Sequence, residues 1–270
     1  MQQEDFSVYN GEGTPLRKAQ LRMLDILKAV DTIFRRNNIH YWADAGTLLG
    51  TVRHKGFIPW DDDVDICVPG DEYSRAKEAL IRELPPEYVY VDSQTDPNYF
   101  DACGRVKSVN SYIAIPDYRY QKEQGLYIDI YPMEELASIK DKYFGEKVYG
   151  KVFRHRHNSG KVATPSRLRR ILTKGIACIL YPFSSTIIAL LRWRGKRHPN
   201  IITYGFALCT TYMPAYNPTW LLPTKELEFE GMKICVPNDY DRYLTAFYGD
   251  YMQIPPIEKR VVHSSDWKIW

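Results

Sequence analysis

The first forty residues place apolar side chains at helical spacing. Thr14 and Pro15 are typical of an N-cap followed by proline at the first helical position. Apolar residues then recur every three or four positions, at Leu16, Ala19, Met23, Leu27, Val30 and Phe34. This pattern predicts an amphipathic helix that ends near 37–38. A second helix is predicted over 71–84, because two prolines at 85–86 stop it.

Shorter apolar runs predict strands between and after these helices. They cover 40–43, 63–68, 88–91, 102–109 and 125–132. Further along, 227–237 is typical of a small hairpin, and Asn238 is a candidate cap for a helix over 239–247 that ends at Gly249. Helices and strands therefore interleave along the chain.

An acidic run lies at the start of one predicted strand, at Trp60-Asp61-Asp62-Asp63-Val64-Asp65-Ile66. Residues two apart on a strand share a face, so Asp63 and Asp65 should point the same way, joined by Asp61 if the strand starts early. Carboxylates grouped in this way repel one another unless a multivalent cation neutralises them, and oxygen ligands suit Mg²⁺ or Mn²⁺. A solvated acidic turn is the alternative, which the apolar continuation to Val68 disfavours.

Gly46 and Thr47 follow the strand predicted at 40–43 and open a short helical segment. Glycine lets the backbone approach a phosphate, and the threonine hydroxyl with the first helical N–H groups would bind its oxygens, although an isolated Gly-Thr is more often an ordinary cap. Combined with Asp-x-Asp on the next strand, the pair resembles the nucleotidyltransferase fold, in which a neighbouring strand adds a third carboxylate. Asp129, alone in the apolar run 125–132, is the candidate.

A longer set of motifs resembles the LicD family of phosphotransferases, the bacterial relatives of fukutin and fukutin-related protein. The motifs lie at 46–50, 52–65, 128–132, 248–251 and 255–260, with His263. The resemblance implies an α+β (α/β-like) fold with a nucleotidyltransferase-like mixed sheet core, flanking helices and a basic helical insertion. It also implies metal-dependent transfer of a phospho-alcohol, such as phosphocholine or ribitol phosphate, from a CDP-activated donor to a glycan hydroxyl, with release of CMP.

The same resemblance suggests a role for each candidate residue. Asp63, Asp65 and Asp129 would hold one or two Mg²⁺ or Mn²⁺ ions, and Asp61 or a metal-bound hydroxide would act as base. Positive charge near the phosphates would come from Arg53, His54 or Lys55, for which loop solvation is the alternative. Pyrophosphate contacts are expected from Arg260 and His263.

Arg105 and Lys107 alternate on the strand predicted at 102–109. On one face of a strand they would either meet phosphate or form an ordinary solvated surface, and the sequence favours neither interpretation.

Charge is distributed unevenly around a net of +3. Between 140 and 200 there are fifteen Lys or Arg and two acids, so that segment carries +13. Within it, 175–191 has no charge, but it is shorter than a membrane span and Pro182 is expected to break it. The alternatives are a pair of helices packed on the core or a monotopic hairpin at an anionic membrane surface. No nucleic-acid module is recognisable, so nucleic acid is not an expected partner.

These patterns divide the chain into three predicted parts. Residues 1–139 form the catalytic core with the N-terminal helix, 140–205 the basic insertion, and 206–270 a hairpin and helix that complete the core.

Five separated cysteines indicate neither a disulfide framework nor a zinc site. The first residues contain no basic region followed by an apolar stretch, which favours the cytoplasm, including a peripheral position on the inner face of the membrane.

The acceptor expected from the resemblance is a cell-surface polysaccharide such as teichoic acid or lipopolysaccharide, or its lipid-linked precursor. Two other functions remain open. One is nucleotidyl transfer to a small molecule or a protein at the same metal site. The other is a catalytically silent glycan-binding or membrane-binding homologue, which the grouped carboxylates disfavour.

Overall fold

A computed structural model describes residues 5–157, 167–208, 214–260 and 266–270. The helices are α1 (Ser7–Asn10), α2 (Pro15–Arg36), α3 (Ala45–His54), α4 (Tyr73–Glu83), α5 (Ile139–Gly145), α6 (Lys151–Arg156), α7 (Arg167–Arg197) and α8 (Tyr240–Tyr248), and a π-helical turn at Glu146–Gly150 joins α5 to α6. The strands are β1 (Trp42–Ala43), β2 (Asp65–Pro69), β3 (Tyr88–Val91), β4 (Gly104–Ser108), β5 (Ser111–Ile113), β6 (Tyr127–Leu136), β7 (Ile201–Tyr204), β8 (Lys225–Phe229), β9 (Met232–Val236) and β10 (Trp267–Ile269).

The main sheet has the strand order β1-β2-β6-β4-β3, and β7 also pairs with β6. Strands β2 and β6 run parallel, whereas their other neighbours are antiparallel. Two small antiparallel pairs, β8 with β9 and β5 with β10, lie outside this sheet. The predicted α+β class with a mixed sheet and flanking helices is therefore confirmed.

Helix α2 covers one side of the core as its periodicity predicts. The side chain of Thr14 accepts a hydrogen bond from the N–H of Arg17, and Pro15 takes the first helical position, where no N–H is required. Ten residues along one side of the helix are buried, including Met23, Leu27 and Phe34. The helix ends at Arg36, one residue before the predicted stop.

The long helix α7 differs from both structures predicted for 175–191. Pro182 lies inside one continuous helix of 31 residues, so neither the helical pair nor the membrane hairpin is present. An interior proline removes one helical hydrogen bond at about 3 kcal/mol, and packing on the domain can offset this amount. Ala177, Ser184 and Ile188 are almost completely buried against the rest of the protein. The prediction failed because tertiary contacts outweigh the local breaker.

Two features of the predicted insertion 140–205 link it to the core. Its last strand, β7, pairs with the far half of β6 in the main sheet. Near the end of α7, Arg192 pairs with Glu134 of β6, and the Nη1 atom of Arg194 lies 2.8 Å from Oδ1 of Asp141. Within the described residues, α7 also contains one segment, Ile171–Arg197, that by length and composition alone could cross a membrane, and 17% of its apolar 18-residue window is buried.

Candidate active site

The first turn of α3 is fixed to the first residue of β2. The backbone N–H of Asp44 donates to the carbonyl oxygen of Asp65 at 3.0 Å. In return, the backbone N–H of Asp65 donates to Oγ1 of Thr47 at 2.9 Å, and Thr47 is only 3% exposed. Its hydroxyl, expected from the sequence to bind phosphate, is instead a buried group that positions Asp65.

Asp65 and Asp129 are direct neighbours on the parallel strands β2 and β6. The N–H of Asp129 donates to the carbonyl oxygen of Val64 at 2.9 Å, which fixes this register. Paired residues of adjacent strands present their side chains to the same face of the sheet, about 5 Å apart. The structure therefore places the two carboxylates side by side at one end of the sheet.

Asp61 and Asp63 approach the same place from the loop before β2. A Cβ atom on Gly46 would lie 2.3 Å from Oδ2 of Asp61 and 3.7 Å from Oδ1 of Asp63. The first distance is far below van der Waals contact, so a side chain at position 46 would displace the Asp61 carboxylate from its place. We call Asp61, Asp63, Asp65 and Asp129 the acidic cluster.

The acidic cluster is electrostatically strained at Asp65. Burial raises the pKa of the Asp65 carboxyl well above its usual range, and the neighbouring charges of Asp63 and Asp129 raise it further. Asp129 is compensated from the opposite side, because Nε of Arg105 donates to its Oδ1 at 2.5 Å. Among the described residues, no three His, Cys, Asp or Glu side chains are already arranged as a metal-binding group. The all-oxygen donors and their mutual repulsion nevertheless fit a hard divalent cation.

An open cavity of ≈ 390 Å³ lies against three members of the acidic cluster. One wall is α3, and the opposite wall is the end of α8 with the chain that follows it. Its lining residues are Ala45, Gly46, Leu49, Arg53, Ile58, Trp60, Asp61, Asp63, Asp65, Tyr248, Asp250, Tyr251, Gln253, Pro255 and Lys259. The cavity thus combines carboxylates, two cations and aromatic rings at the N-terminal end of a helix.

The three basic candidates at the end of α3 occupy different environments. Arg53 lines the cavity, and its Nη1 donates to the carbonyl oxygens of Tyr251 at 2.9 Å and Gln253 at 3.1 Å. His54 is packed between Phe6 and Trp60, and its burial together with the adjacent Arg53 charge lowers its pKa to about 4. It is therefore neutral near pH 7 and does not supply the expected positive charge.

Lys55 ends α3 in the left-handed region, with φ of 56°. Its carbonyl oxygen accepts a hydrogen bond from the N–H of Glu230, and its side chain is exposed. The Lys55 side chain does not line the cavity. Its position agrees with the alternative of loop solvation, and its backbone ends the helix.

Arg260 lies in an aromatic box beside the cavity. Its guanidinium carbon is 4.6 Å from the ring centre of Trp60, 5.6 Å from that of Tyr9 and 5.7 Å from that of Phe6. Its Nε donates to the carbonyl oxygen of Pro255 at 3.0 Å. The residue therefore fastens the C-terminal segment over Trp60. His263, the other expected pyrophosphate contact, lies outside the described residues.

Arg105 and Lys107 are buried, with 4% and 1% of their surface exposed, so the solvated-face interpretation is wrong. Register pairs them with Asp129 and Tyr127 of β6, so the four side chains share one face of the sheet. The Nζ of Lys107 donates to Oε1 of Gln121 at 2.7 Å and to the carbonyl oxygen of Glu123 at 2.8 Å. Burial and the nearby Arg105 charge lower the pKa of Lys107 to about 7.

Replacing Lys107 by Met is expected to change how stability depends on pH. An unfolded lysine titrates near pH 10.4, whereas Lys107 titrates near pH 7 in the folded state. Its folded pKa is depressed, so its contribution to stability is present at high pH and is lost as pH falls toward 7. Between pH 9 and pH 6, the wild type should lose on the order of 2 kcal/mol relative to Lys107→Met in denaturant unfolding. Lys233→Met, which removes an exposed lysine, should follow the wild type, and parallel curves for Lys107→Met would contradict the assignment.

Several residues at the site were not selected from the sequence. Asp250 and Lys259 line the cavity, although both fall within tail motifs that had been noted for the family resemblance. Asp44 is buried behind the acidic cluster, where its Oδ1 accepts from the hydroxyl of Tyr243 at 2.7 Å and its Oδ2 accepts from Tyr204. These contacts join residues about 160 to 200 positions apart, and no local pattern signals them.

Comparison with known proteins points to the same elements. The family described as LicD/FKTN/FKRP, nucleotidyltransferase domain, matches residues 38–161. The lipopolysaccharide cholinephosphotransferase LicD of Haemophilus influenzae is 30% identical over 269 residues, covering 92% of this chain and 95% of that protein. An uncharacterized protein of Rickettsia typhi is 30% identical over 142 residues, which are 49% of this chain and 43% of that protein.

A shorter match is ribitol 5-phosphate transferase FKRP of Mus musculus, which is 35% identical over 67 residues, covering 23% of this chain and 12% of that protein. The region 38–161 contains α3, β2 and β6, the elements that carry the acidic cluster and its glycine.

Proposed function

Because the chain belongs to the LicD/FKTN/FKRP family, we propose that it transfers a phospho-alcohol, such as phosphocholine, from a CDP-activated donor to a glycan hydroxyl and releases CMP. Its enzyme class, LicD-type phosphotransferase, is that of the family. The observation that carries the proposal is the position of the acidic cluster, which meets the N-terminus of α3 at an open cavity. Carboxylates and helix N–H groups together suit a diphosphate with its counterion.

The acidic cluster would hold the cofactor. Asp63, Asp65 and Asp129 are the residues for a Mg²⁺ or Mn²⁺ ion, which when bound neutralises charge on the donor diphosphate and on the leaving CMP. Arg105 orients the Asp129 carboxylate through its hydrogen bond. Thr47 holds Asp65 in register through the backbone.

The remaining chemistry belongs to protein groups around the cavity. The first N–H groups of α3, at Gly46, bind a phosphate oxygen, because no preceding helical turn supplies them with acceptors. Lys259 adds positive charge from the opposite wall. Asp61 accepts the proton of the attacking glycan hydroxyl. The new bond forms between that oxygen and the distal phosphorus. The bond from this phosphorus to the bridging oxygen breaks, and the bridging oxygen leaves with its electron pair as part of CMP.

The acceptor we propose is a cell-surface polysaccharide such as lipopolysaccharide or teichoic acid, or its lipid-linked precursor. The Haemophilus relative is named for action on lipopolysaccharide, and its similarity extends over nearly the whole of both chains. A lipid-linked acceptor is presented at the inner face of the cytoplasmic membrane, and we place the enzyme there as a peripheral protein.

The test is to identify the product released from defined donors. Protein, Mg²⁺ and an extracted glycan acceptor are incubated in turn with CDP-choline, CDP-ribitol, CDP-glycerol and CTP, and ³¹P NMR distinguishes CMP from pyrophosphate. We expect CMP and a new phosphodiester from one of the CDP donors, and neither product with Asp65→Asn. Pyrophosphate from CTP would instead establish nucleotidyl transfer. If no donor reacts or raises the unfolding temperature with Mg²⁺, the protein is a catalytically silent binding homologue and the proposal is wrong.

A further inference from the structure

One side of α7 carries large apolar side chains that are open to solvent. They recur at intervals of three or four residues, interrupted once at Thr186, which places them along one side of the helix. Each is between 55% and 69% exposed. We call this set the apolar stripe: Leu168, Leu172, Ile176, Ile179, Phe183, Leu190 and Trp193.

The opposite side of α7 is fixed to the domain. Ala177, Ser184 and Ile188 are 3%, 3% and 2% exposed, and they lie roughly half a turn from the stripe. At the far end, a Cβ atom on Gly195 would lie 2.0 Å from the carbonyl oxygen of Glu135, so helix and sheet are in close contact there. Because packing extends from Ala177 to Gly195, lipid cannot surround the helix on all sides. The stripe faces away from the protein along most of the helix.

The charges of α7 indicate which kind of partner would bind the stripe. The helix contains no Asp or Glu, and its eight cations lie at its two ends: Arg167, Arg169, Arg170 and Lys174, then Arg192, Arg194, Lys196 and Arg197. Three of the C-terminal cations pair with acids of the domain, Arg192 with Glu134, Arg194 with Asp141 and Lys196 with Asp71. A second copy packed on the stripe would bring cationic ends together in either the parallel or the antiparallel orientation. An anionic lipid surface complements the basic N-terminal end of the helix together with Arg197 at its last turn.

The C-terminal end of the stripe has the composition found where helices enter a lipid interface. The guanidinium carbon of Arg197 lies 4.1 Å from the ring centre of Trp193, and both residues are exposed. A tryptophan ring is favoured at the level of the headgroups, and an adjacent cation can reach the phosphates while its stem covers apolar surface.

We propose that the apolar stripe is the surface by which this protein docks on an anionic lipid bilayer, with α7 lying in the plane of the interface. The stripe enters the boundary between headgroups and acyl chains, and the cations of the N-terminal end together with Arg197 contact the phosphates. Docking rests on the helix alone and does not depend on which phospho-alcohol the enzyme transfers.

The test is sedimentation of the full chain with phosphatidylglycerol-containing vesicles, compared with pure phosphatidylcholine. We expect binding to the anionic vesicles that weakens at high ionic strength. Ile179→Gln/Phe183→Gln should weaken that binding at least roughly tenfold, because it removes two large groups from the apolar stripe. The matched control is Val8→Gln/Ile81→Gln, which changes two apolar residues of 77% and 56% exposure elsewhere and should bind like the wild type.

A second readout reports the orientation of the helix. Brominated lipids should quench the fluorescence of Trp193, and Trp193→Phe should lose the quenched component while the other five tryptophans remain.

Equal vesicle binding by the wild type and Ile179→Gln/Phe183→Gln would overturn the proposal. A wild-type dimer that this double variant dissociates would identify a second copy as the occupant, and resistance to carbonate extraction would indicate a spanning helix. Either result would equally overturn it.

Discussion

Asp63→Asn and Asp65→Asn are each expected to lower turnover about 1,000-fold or more, because each removes a negative charge from the place where the donor diphosphate and its counterion would bind. Both carboxylates line the cavity. Asp63 lies close to Gly46, and Asp65 is the first residue of β2. The amide keeps the size and shape of the side chain, so the lost charge is the main change. Product release from the CDP donor measures the effect.

Stability should move in the opposite direction from activity. In metal-free buffer, Asp65→Asn is expected to raise the unfolding temperature, because it removes a buried charge that neighbouring carboxylates repel. Added Mg²⁺ should then stabilise the wild type more than the variant. Asp25→Asn, an exposed carboxylate on α2, controls for the loss of one acidic group and should change neither property. Near-wild-type turnover by Asp63→Asn or Asp65→Asn would remove those residues from the site.

Local patterns were sufficient for the elements that carry the site. The N-cap and periodicity of α2, the start of α3 next to Gly46 and the hairpin of β8 and β9 follow from residues close together in sequence. The resemblance to the LicD family was also confirmed, since its motifs are contiguous segments that a single sequence displays. One boundary that affects the site was displaced: β2 begins at Asp65, so Asp63 lies in the preceding loop and not on the strand.

Errors arose where distant residues determine the environment. For Lys107 the sequence did not decide between a phosphate contact and a solvated strand face, because its buried position follows from tyrosines and a glutamine more than ten positions away. The loss of charge at His54 requires Phe6 and Trp60 to enclose it. Pro182 indicated a break that packing overrode. Each of these depends on long-range contacts, which periodicity and spacing do not encode.

Arg105→Met is expected to destabilise the protein more than any other change considered, by about 3 to 5 kcal/mol, because it leaves a buried carboxylate without its partner. Arg105 donates to Asp129 through Nε at 2.5 Å, and its Nη1 lies 3.1 Å from Oδ2 of Asp101. Its guanidinium also lies 4.3 Å and 4.5 Å from the ring centres of Tyr127 and Tyr118. After truncation, the uncompensated charge of Asp129 would lie directly beside that of Asp65.

Denaturant unfolding in metal-free buffer measures this loss and separates its causes. Arg105→Lys keeps the charge but loses the planar fork and the ring stacking, so we expect an intermediate value. Arg75→Met, which breaks an exposed ion pair with Glu72 on the protein surface, should cost less than about 1 kcal/mol. The decisive variant is Arg105→Met/Asp129→Asn, in which no buried charge is left unpaired. It should recover a large part of the loss, because the penalty of the single variant arises from the carboxylate and not from the missing arginine stem. If the double variant is as unstable as the sum of its single changes, packing of the guanidinium between the tyrosines, and not the ion pair, holds β4 against β6.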